Sequence, residues 1–486
     1  MWFDSAVFYQ IYPIGLLGAP RENPVKNPVG GPVPFGVSRK TERAENGERM
    51  EPASDSESDT AFPLEIDSGA VSHRLPRLAE WIPHLQKLGI SAVYLCPLFE
   101  SDSHGYDTRD FRAVDRRLGD NADLKKLVQD FHAAGIRVIL DGVFNHVGRN
   151  FWAFRDVRAR KWDSPYKDWF HINFDGNSAW NDGFWYEGWE GHYQLVKLNL
   201  KNPAVTDYLL DTVRFWAEQF DIDGLRLDVA YCLDRDFLRS LRQFANQLKP
   251  EFFLVGETLH GDYNQWINRG MLHSCTNYEC YKGLYSSFNS LNLFEIVHSL
   301  KRQFGPEPWT LYKGRHLLCF ADNHDVPRLA SILTNPKHIP LLYGILFAMP
   351  GIPCLYYGSE WGVEGQKGRG HEGDYALRPA FEKPSWTRLT DKLAVMARVH
   401  REHPALYNGD FGDVVLTNRQ TVFRRSGEGE TVLCAVNADD KPYFAHFDSA
   451  ALTGGRNQAV DLLREKKVTF NGGAELPPYS VQYWKV

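Results

Sequence analysis

From His73 to about residue 403 the chain alternates short apolar runs with amphipathic helices, and this alternation limits its fold more than any other feature. The apolar runs are Ile90–Leu98, Ile136–Phe144, Gly224–Ala230, Phe252–Leu259, Ser274–Tyr281, His316–Asp322 and Ile352–Gly358, with Ala6–Pro13 preceding them. Between them a 3.6-residue period predicts helices over Arg74–Leu88, Asn121–Ala134, Pro203–Phe220, Asp236–Leu248, Leu291–Phe304, Ile339–Met349 and Leu393–His403. Strands buried on both faces and separated by helices form a parallel sheet. Eight of them favour a closed (β/α)8 TIM barrel over an open doubly wound sheet. No G-x-G-x-x-G follows the first strand, which argues against a dinucleotide fold.

Two stretches interrupt the rhythm, and one follows it. Residues 15–72 form a long loop rich in Gly, Pro and charge after the first strand, readable as a partly ordered lid or as a disordered segment. Residues 149–200 carry Trp152, Trp162, Trp169, Trp180, Trp185 and Trp189 and are too long for an ordinary loop, so they predict an inserted subdomain. From residue 405 to 486 short strands alternate with turns, an antiparallel β domain. The barrel is thus expected over 1–148 and 201–404.

A net charge of −6 gives no reason to expect nucleic acid, and no apolar stretch reaches the roughly 18 residues that span a bilayer. The first residues lack the basic and apolar regions of a secretory signal, and the seven scattered cysteines contain no C-x-x-C pair. Both point to free thiols in a reducing cytoplasm. With 14 Trp and 22 Tyr, the chain is rich in flat surfaces edged by polar tips, which suit sugar rings as well as a dense core.

In such barrels chemistry sits at the C-terminal strand ends. There the chain places Asp141, Asn145 and His146 at the end of the third strand, Arg226 and Asp228 at that of the fourth, Glu257 at that of the fifth, and Asp322, His324 and Asp325 at that of the seventh. Carboxylates from four strands converging on one mouth repel one another, and catalysis is the better reason for keeping them. Glycoside cleavage needs one ionised carboxylate and one kept protonated. Asp228, two residues from the fixed charge of Arg226, is expected to stay ionised as a nucleophile. Glu257, with no cation beside it in sequence, suits the acid/base.

The motifs DGVFNH (141–146), GLRLDVA (224–230), GET (256–258) and FADNHD (320–325), in this order, resemble the α-amylase family, glycoside hydrolase family 13. VKLN (196–199) resembles a further motif in its neopullulanase and cyclomaltodextrinase style. The resemblance implies Asp228 as nucleophile, Glu257 as general acid/base and Asp325 as the third carboxylate. It implies that Arg226 positions the nucleophile and that His146 and His324 bind hydroxyls of the sugar being cleaved. Tyr106, in HGYDTRDF (104–111), takes the stacking role, and Asp374 with Arg378, in GDYALRP, the next sugar. Asp141 and Asn199 are expected to be supports, while Lys197 and His260 are expected near substrate.

The chain also departs from that pattern. Tyr231-Cys232 stands where calcium-dependent members place a histidine, and Asn145 alone makes no oxygen cage, so no metal or other cofactor is expected. Neopullulanase-like members carry an N-terminal β domain used in dimerisation, whereas this chain starts at the first barrel strand, leaving monomer or homodimer open. Val229 leaves the linkage open between α-1,4 alone and α-1,4 with α-1,6. The expectation is a cytoplasmic retaining hydrolase of maltooligosaccharides. A transglycosylase or glucosyl isomerase using the same intermediate is the alternative, and a barrel kept only for binding is a distant third.

Overall fold

The computed structural model describes residues 1–25, 70–369 and 373–486. Most of the expected 15–72 loop, residues 26–69, lies outside the described residues, as do 370–372. Eight parallel strands form the central sheet: β1 (Phe8–Ile11), β2 (Ala92–Leu95), β3 (Arg137–Gly142), β4 (Gly224–Leu227), β5 (Phe253–Gly256), β6 (Ser274–Cys275), β7 (Leu318–Phe320) and β8 (Ile352–Tyr356). They neighbour one another in chain order, and β8 returns to pair with β1 through Phe8 and Cys354. A parallel bridge between Thr276 and Leu318 joins β6 to β7, with the Asn277 N–H donating to the Leu318 carbonyl at 2.8 Å. The barrel is therefore closed, as the strand count predicts.

The helices around it bury continuous apolar stripes. Pro203–Phe220 begins at Asn202, whose side chain accepts the Ala204 N–H, and turns Val205, Leu209, Val213 and Trp216 inward. Asn121–Ala133 opens on a capping box between Asp120 and Asp123. Arg74–Leu88, expected as one helix, is a 3-10 segment (Leu75–Trp81) running into an α-helix (Ile82–Leu88).

The sixth strand differs from expectation. Instead of running to Tyr281 it stops at Cys275, and Asn277 caps a helix over Tyr278–Ser290 by accepting the Cys280 N–H at 3.1 Å. Aromatic and cysteine content made this stretch read as strand, although its apolar residues Cys280, Leu284 and Phe288 repeat at helical spacing. The consequence for the site is direct, because Tyr278 becomes the first residue of a helix at the barrel mouth.

Residues 146–197 contribute a three-stranded antiparallel sheet of His146–Gly148, His192–Lys197 and Gly188–Trp189, beside a helix over Trp152–Arg160. Trp152 and Trp169 pack edge-on in a cluster with Tyr166 and Tyr208, while Trp162 and Trp180 are exposed. Beyond the barrel a six-stranded antiparallel sheet, with Glu430–Asn437 and Ser480–Lys485 at its centre, lies against helix Ile339–Ala348. That helix is buried on every side for this reason. The described cysteines are free, and all but Cys232 are buried.

Candidate active site

The site is assembled around one guanidinium. Arg226 stands in register with Asp141 of β3 and Val255 of β5, and its side chain points into the barrel mouth. Its Nη1 donates to both oxygens of Asp141 (2.9 and 3.0 Å) and to Asp228 Oδ1 (2.9 Å). Its Nη2 lies 2.9 Å from Glu257 Oε2. The single cation is thus divided among three carboxylates. This corrects the expectation that Glu257 has no cation beside it: Arg226 is remote in sequence but adjacent across β4 and β5.

Local backbone geometry holds the acid residue. Glu257 Oε2 also accepts the Val229 N–H at 3.0 Å, and the Tyr278 hydroxyl lies 3.5 Å from Oε1. Val229 adopts φ 39° and ψ 49°, a left-handed conformation that costs a β-branched residue about 1–3 kcal/mol. That turn aims its N–H at Glu257. Gly256 makes the close approach feasible, since a Cβ there would sit 2.7 Å from Ala230 Cβ and 2.4 Å from Leu272 Cδ1.

Asp325 has its own partners. Arg378 Nη2 donates to Oδ1 at 2.8 Å, and His324 Nε2 lies 3.0 Å from Oδ2. Burial alone would raise its pKa, but the His324 charge foremost, with Arg378, holds the carboxyl well below the usual range. Burial opposes charge on His324 as well, yet Asp325 pushes its pKa up to about 10, so the ring is an imidazolium at neutral pH. The Tyr106 ring is nearly parallel to His324 (centroids 5.7 Å apart, 13° between planes), and its hydroxyl contacts Asp141 Oδ2 at 3.1 Å.

His146 is the opposite kind of histidine. Burial drives its pKa down to about 3, so it is neutral. Asn145 Nδ2 lies 3.1 Å from Nδ1 and can only donate, which leaves the ring proton on Nε2. Nε2 is buried, has no hydrogen-bond partner and lies 3.9 Å from Asp228 Oδ2. A donor in that position is available to a hydroxyl entering the cleft.

Charge counting explains Asp228. Four carboxylates (Asp141, Asp228, Glu257, Asp325) face Arg226, Arg378 and the His324 imidazolium. Burial, and then Glu257, Asp141 and Asp325, push the Asp228 carboxyl well above the carboxylate range against the pull of Arg226. The expectation that Asp228, beside Arg226, stays ionised is therefore corrected: burial and the neighbouring carboxylates outweigh the guanidinium.

These groups border a cleft of about 640 Å3. Of the residues expected from sequence, Tyr106, His146, Asp228, Glu257, Asp325, Asp374 and Arg378 line it. Arg226 and His324 sit behind its floor, holding the lining carboxylates. Arg378 Nη2 is 3.5 Å from Asp374, whose Oδ1 is 3.0 Å from Lys367 Nζ. Lys197 and His260 are not on the walls: Lys197 pairs with Glu187 at 2.5 Å, and His260 is exposed with its ring 6.4 Å from Tyr231. Asn199 supports the inserted segment by donating to the Asp168 carbonyl at 3.1 Å. Sequence reasoning did not single out Trp189, His192, Gln194, Leu259, Tyr278, Lys367 or Tyr375 as lining residues. For Tyr278 the available signal was the Asn277 cap; for the others none stood out.

The barrel is matched in known proteins. The family model described as alpha amylase, catalytic domain, matches residues 74–402. The chain belongs to the alpha-amylase family. It is 30% identical over 462 residues to a cyclomaltodextrinase of Bacillus sp, covering 90% of this chain and 73% of that one. It is 33% identical over 298 residues to the intracellular maltogenic amylase of Bacillus subtilis, covering 60% of this chain and 49% of the relative. Among solved structures, the ligand-free cyclic alpha-maltosyl-(1→6)-maltose hydrolase of Arthrobacter globiformis superposes with a TM-score of 0.76 at 26% identity, covering 100% of this chain and 99% of that one. The protein is accordingly a glycoside hydrolase of the alpha-amylase family.

Among the described residues, one group of potential metal ligands stands close together: His73, Asp120 and Asp123. Asp120 and Asp123 are engaged in the capping box, and His73 contacts Asp123 at 2.6 Å. Among the described residues no helix is long and apolar enough to cross a membrane.

Proposed function

We propose that the protein hydrolyses short α-linked maltooligosaccharides with retention of configuration, through a glycosyl-enzyme on Asp228. The observation that carries this reading is the grip of one guanidinium on both Asp228 and Glu257 at 2.9 Å, which holds the two carboxyls close together at the wall of the cleft. In the reactive form Glu257 carries the acid proton and Asp228 is bare. Asp228 attacks the anomeric carbon as Glu257 protonates the leaving oxygen, and Glu257 then takes a proton from the attacking water. Asp325, held ionised by His324 and Arg378, faces the positive charge that develops on the ring. Neutral His146 donates to a hydroxyl of that ring, Tyr106 stacks on it, and Asp374 with Arg378 receives the next sugar.

The names of the relatives support maltodextrin-type substrates, and one relative named intracellular supports a cytoplasmic setting. No metal enters this reading, because Tyr231-Cys232 replaces the histidine of calcium-dependent members. Activity is expected to survive exhaustive chelation. A second reading, transfer to a sugar acceptor, is favoured by the apolar lining that Val229, Leu259 and Val326 give the cleft.

Proton NMR of maltotriose digestion, with chromatography of products from maltotriose, panose, cyclodextrin and pullulan, tests both readings. Hydrolysis that first releases the α-anomer is expected. Initial β-anomer would reject retention, and longer or isomerised sugars without net hydrolysis would select transfer. The panel also settles linkage.

A further inference from the structure

Glu257 uses its two carboxyl oxygens differently. Oε2 accepts the Val229 N–H at 3.0 Å and forms an ion pair with Arg226 Nη2 at 2.9 Å. An oxygen that accepts an N–H and faces a guanidinium is the anionic side of the group and a poor carrier of the acid proton. The proton to be delivered therefore sits on Oε1, and the neighbour of Oε1 is the Tyr278 hydroxyl at 3.5 Å.

The direction of the Tyr278 hydroxyl follows from its other contact. Asn323 Oδ1 accepts the Asp325 N–H (2.8 Å) and the Val326 N–H (3.2 Å), which fixes the amide so that Nδ2 faces Tyr278. Nδ2 then donates to the Tyr278 oxygen at 3.1 Å. With one lone pair occupied, the hydroxyl hydrogen is free to turn toward Glu257 Oε1. Helix Tyr278–Ser290 starts at this residue, and the ring is wedged edge-on against Phe320 of β7 at 4.9 Å, so the hydroxyl is held in place. Tyr278 also lines the cleft.

We propose that Tyr278 is a positioning residue for the acid/base, an assignment that rests on Glu257 having that role. Before reaction, Oε1–H and the tyrosine oxygen lie side by side. As the proton leaves Oε1 for the glycosidic oxygen, the Glu257 carboxylate that remains gains the Tyr278 O–H as a donor. Oε1 then has a donor of its own, and Oε2 keeps the Val229 N–H and the Arg226 ion pair. The hydroxyl acts by stabilising the charged form of Glu257 within a field set by Arg226 on β4, Asp228 just after it, Asp141 on β3, Asp325 after β7 and Tyr231 beyond the 229 turn.

The test compares Tyr278→Phe with Glu257→Gln on maltotriose and on α-maltosyl fluoride, whose leaving group needs little protonation. Tyr278→Phe keeps the ring packing, and its melting temperature confirms folding. For Tyr278→Phe, kcat is expected to fall by about 10-fold on maltotriose and less than about 3-fold on the fluoride. The alkaline limb of its kcat/KM profile on maltotriose should move to higher pH, because the carboxylate has lost a donor. For Glu257→Gln a larger split of the same kind is expected. A split for Glu257→Gln but equal losses and an unmoved limb for Tyr278→Phe would overturn the Tyr278 assignment and leave Glu257 as the acid. No split for Glu257→Gln would overturn the acid role and the proposal with it.

Discussion

His324 and Asp325 are consecutive residues whose charges sustain each other inside a buried wall. The pair leaves a signature in stability. His324 carries its proton up to about pH 10 in the fold, against about 6.5 in an unfolded chain. Between those values the native state holds a proton that the unfolded state has released, so stability falls as pH rises. The contribution is complete below about pH 6.5 and lost on approaching pH 10. Asp325, with its pKa depressed, contributes above about pH 4 and loses that contribution as the solution is acidified. Urea unfolding of the wild type and His324→Gln at a series of pH values should show the largest gap near pH 5–6, narrowing steadily toward pH 10. A gap that stays constant or widens toward pH 10 would mean that the native ring is neutral.

At the scale of elements, the turn after β4 stores strain to place one N–H. Val229 is the residue that bears the left-handed conformation, and glycine would adopt it without a Cβ penalty. Val229→Gly relieves that strain but removes a buried valine side chain, so its melting temperature should change little, while kcat on maltotriose falls because the freed backbone no longer fixes Glu257. Thermal melting and steady-state kinetics check the two halves separately; a lower melting temperature with unchanged kcat would show that the turn serves packing alone. This turn also marks where sequence reading reached its limit. The barrel strands were legible because continuous apolar runs bounded by turns identify themselves, but the extent of β6 was not, because two residues carry no period. The carboxylates were legible because they sit at strand ends. The threefold sharing of Arg226 was not, since Asp141 and Glu257 reach it only through strand register. Nothing in the identity of Val229 foretold its backbone angles.

For the molecule as a whole, the barrel and the C-terminal sheet share one core. Phe423, Cys434, Val436 and Tyr483 of the sheet belong to the same buried cluster as the barrel helices, and Tyr483 donates to the Gly344 carbonyl within helix Ile339–Ala348. Gly344 is required there, since a Cβ would lie 2.5 Å from Val481 Cγ2. A buried arginine crosses this junction. Arg425, fully buried, donates through Nη1 to the carbonyls of Ala348 and Leu406 (2.6 Å each) and through Nη2 to that of Gly409 (2.8 Å). These carbonyls close the C-terminal ends of two helices, where a cation is favoured. Burial without a carboxylate partner brings its pKa down to about 9, so the bond set is maintained at neutral pH. Arg425→Met would leave three buried carbonyls without their donor, at about 1–3 kcal/mol each, and should lower the melting temperature sharply. Because Arg425 touches nothing in the cleft, kcat measured well below the melting point should match the wild type. Arg425→Lys should recover only part of the stability, since one ammonium cannot span three carbonyls in the same geometry. Full recovery by lysine would show that charge alone, rather than the planar fork, joins the sheet to the barrel.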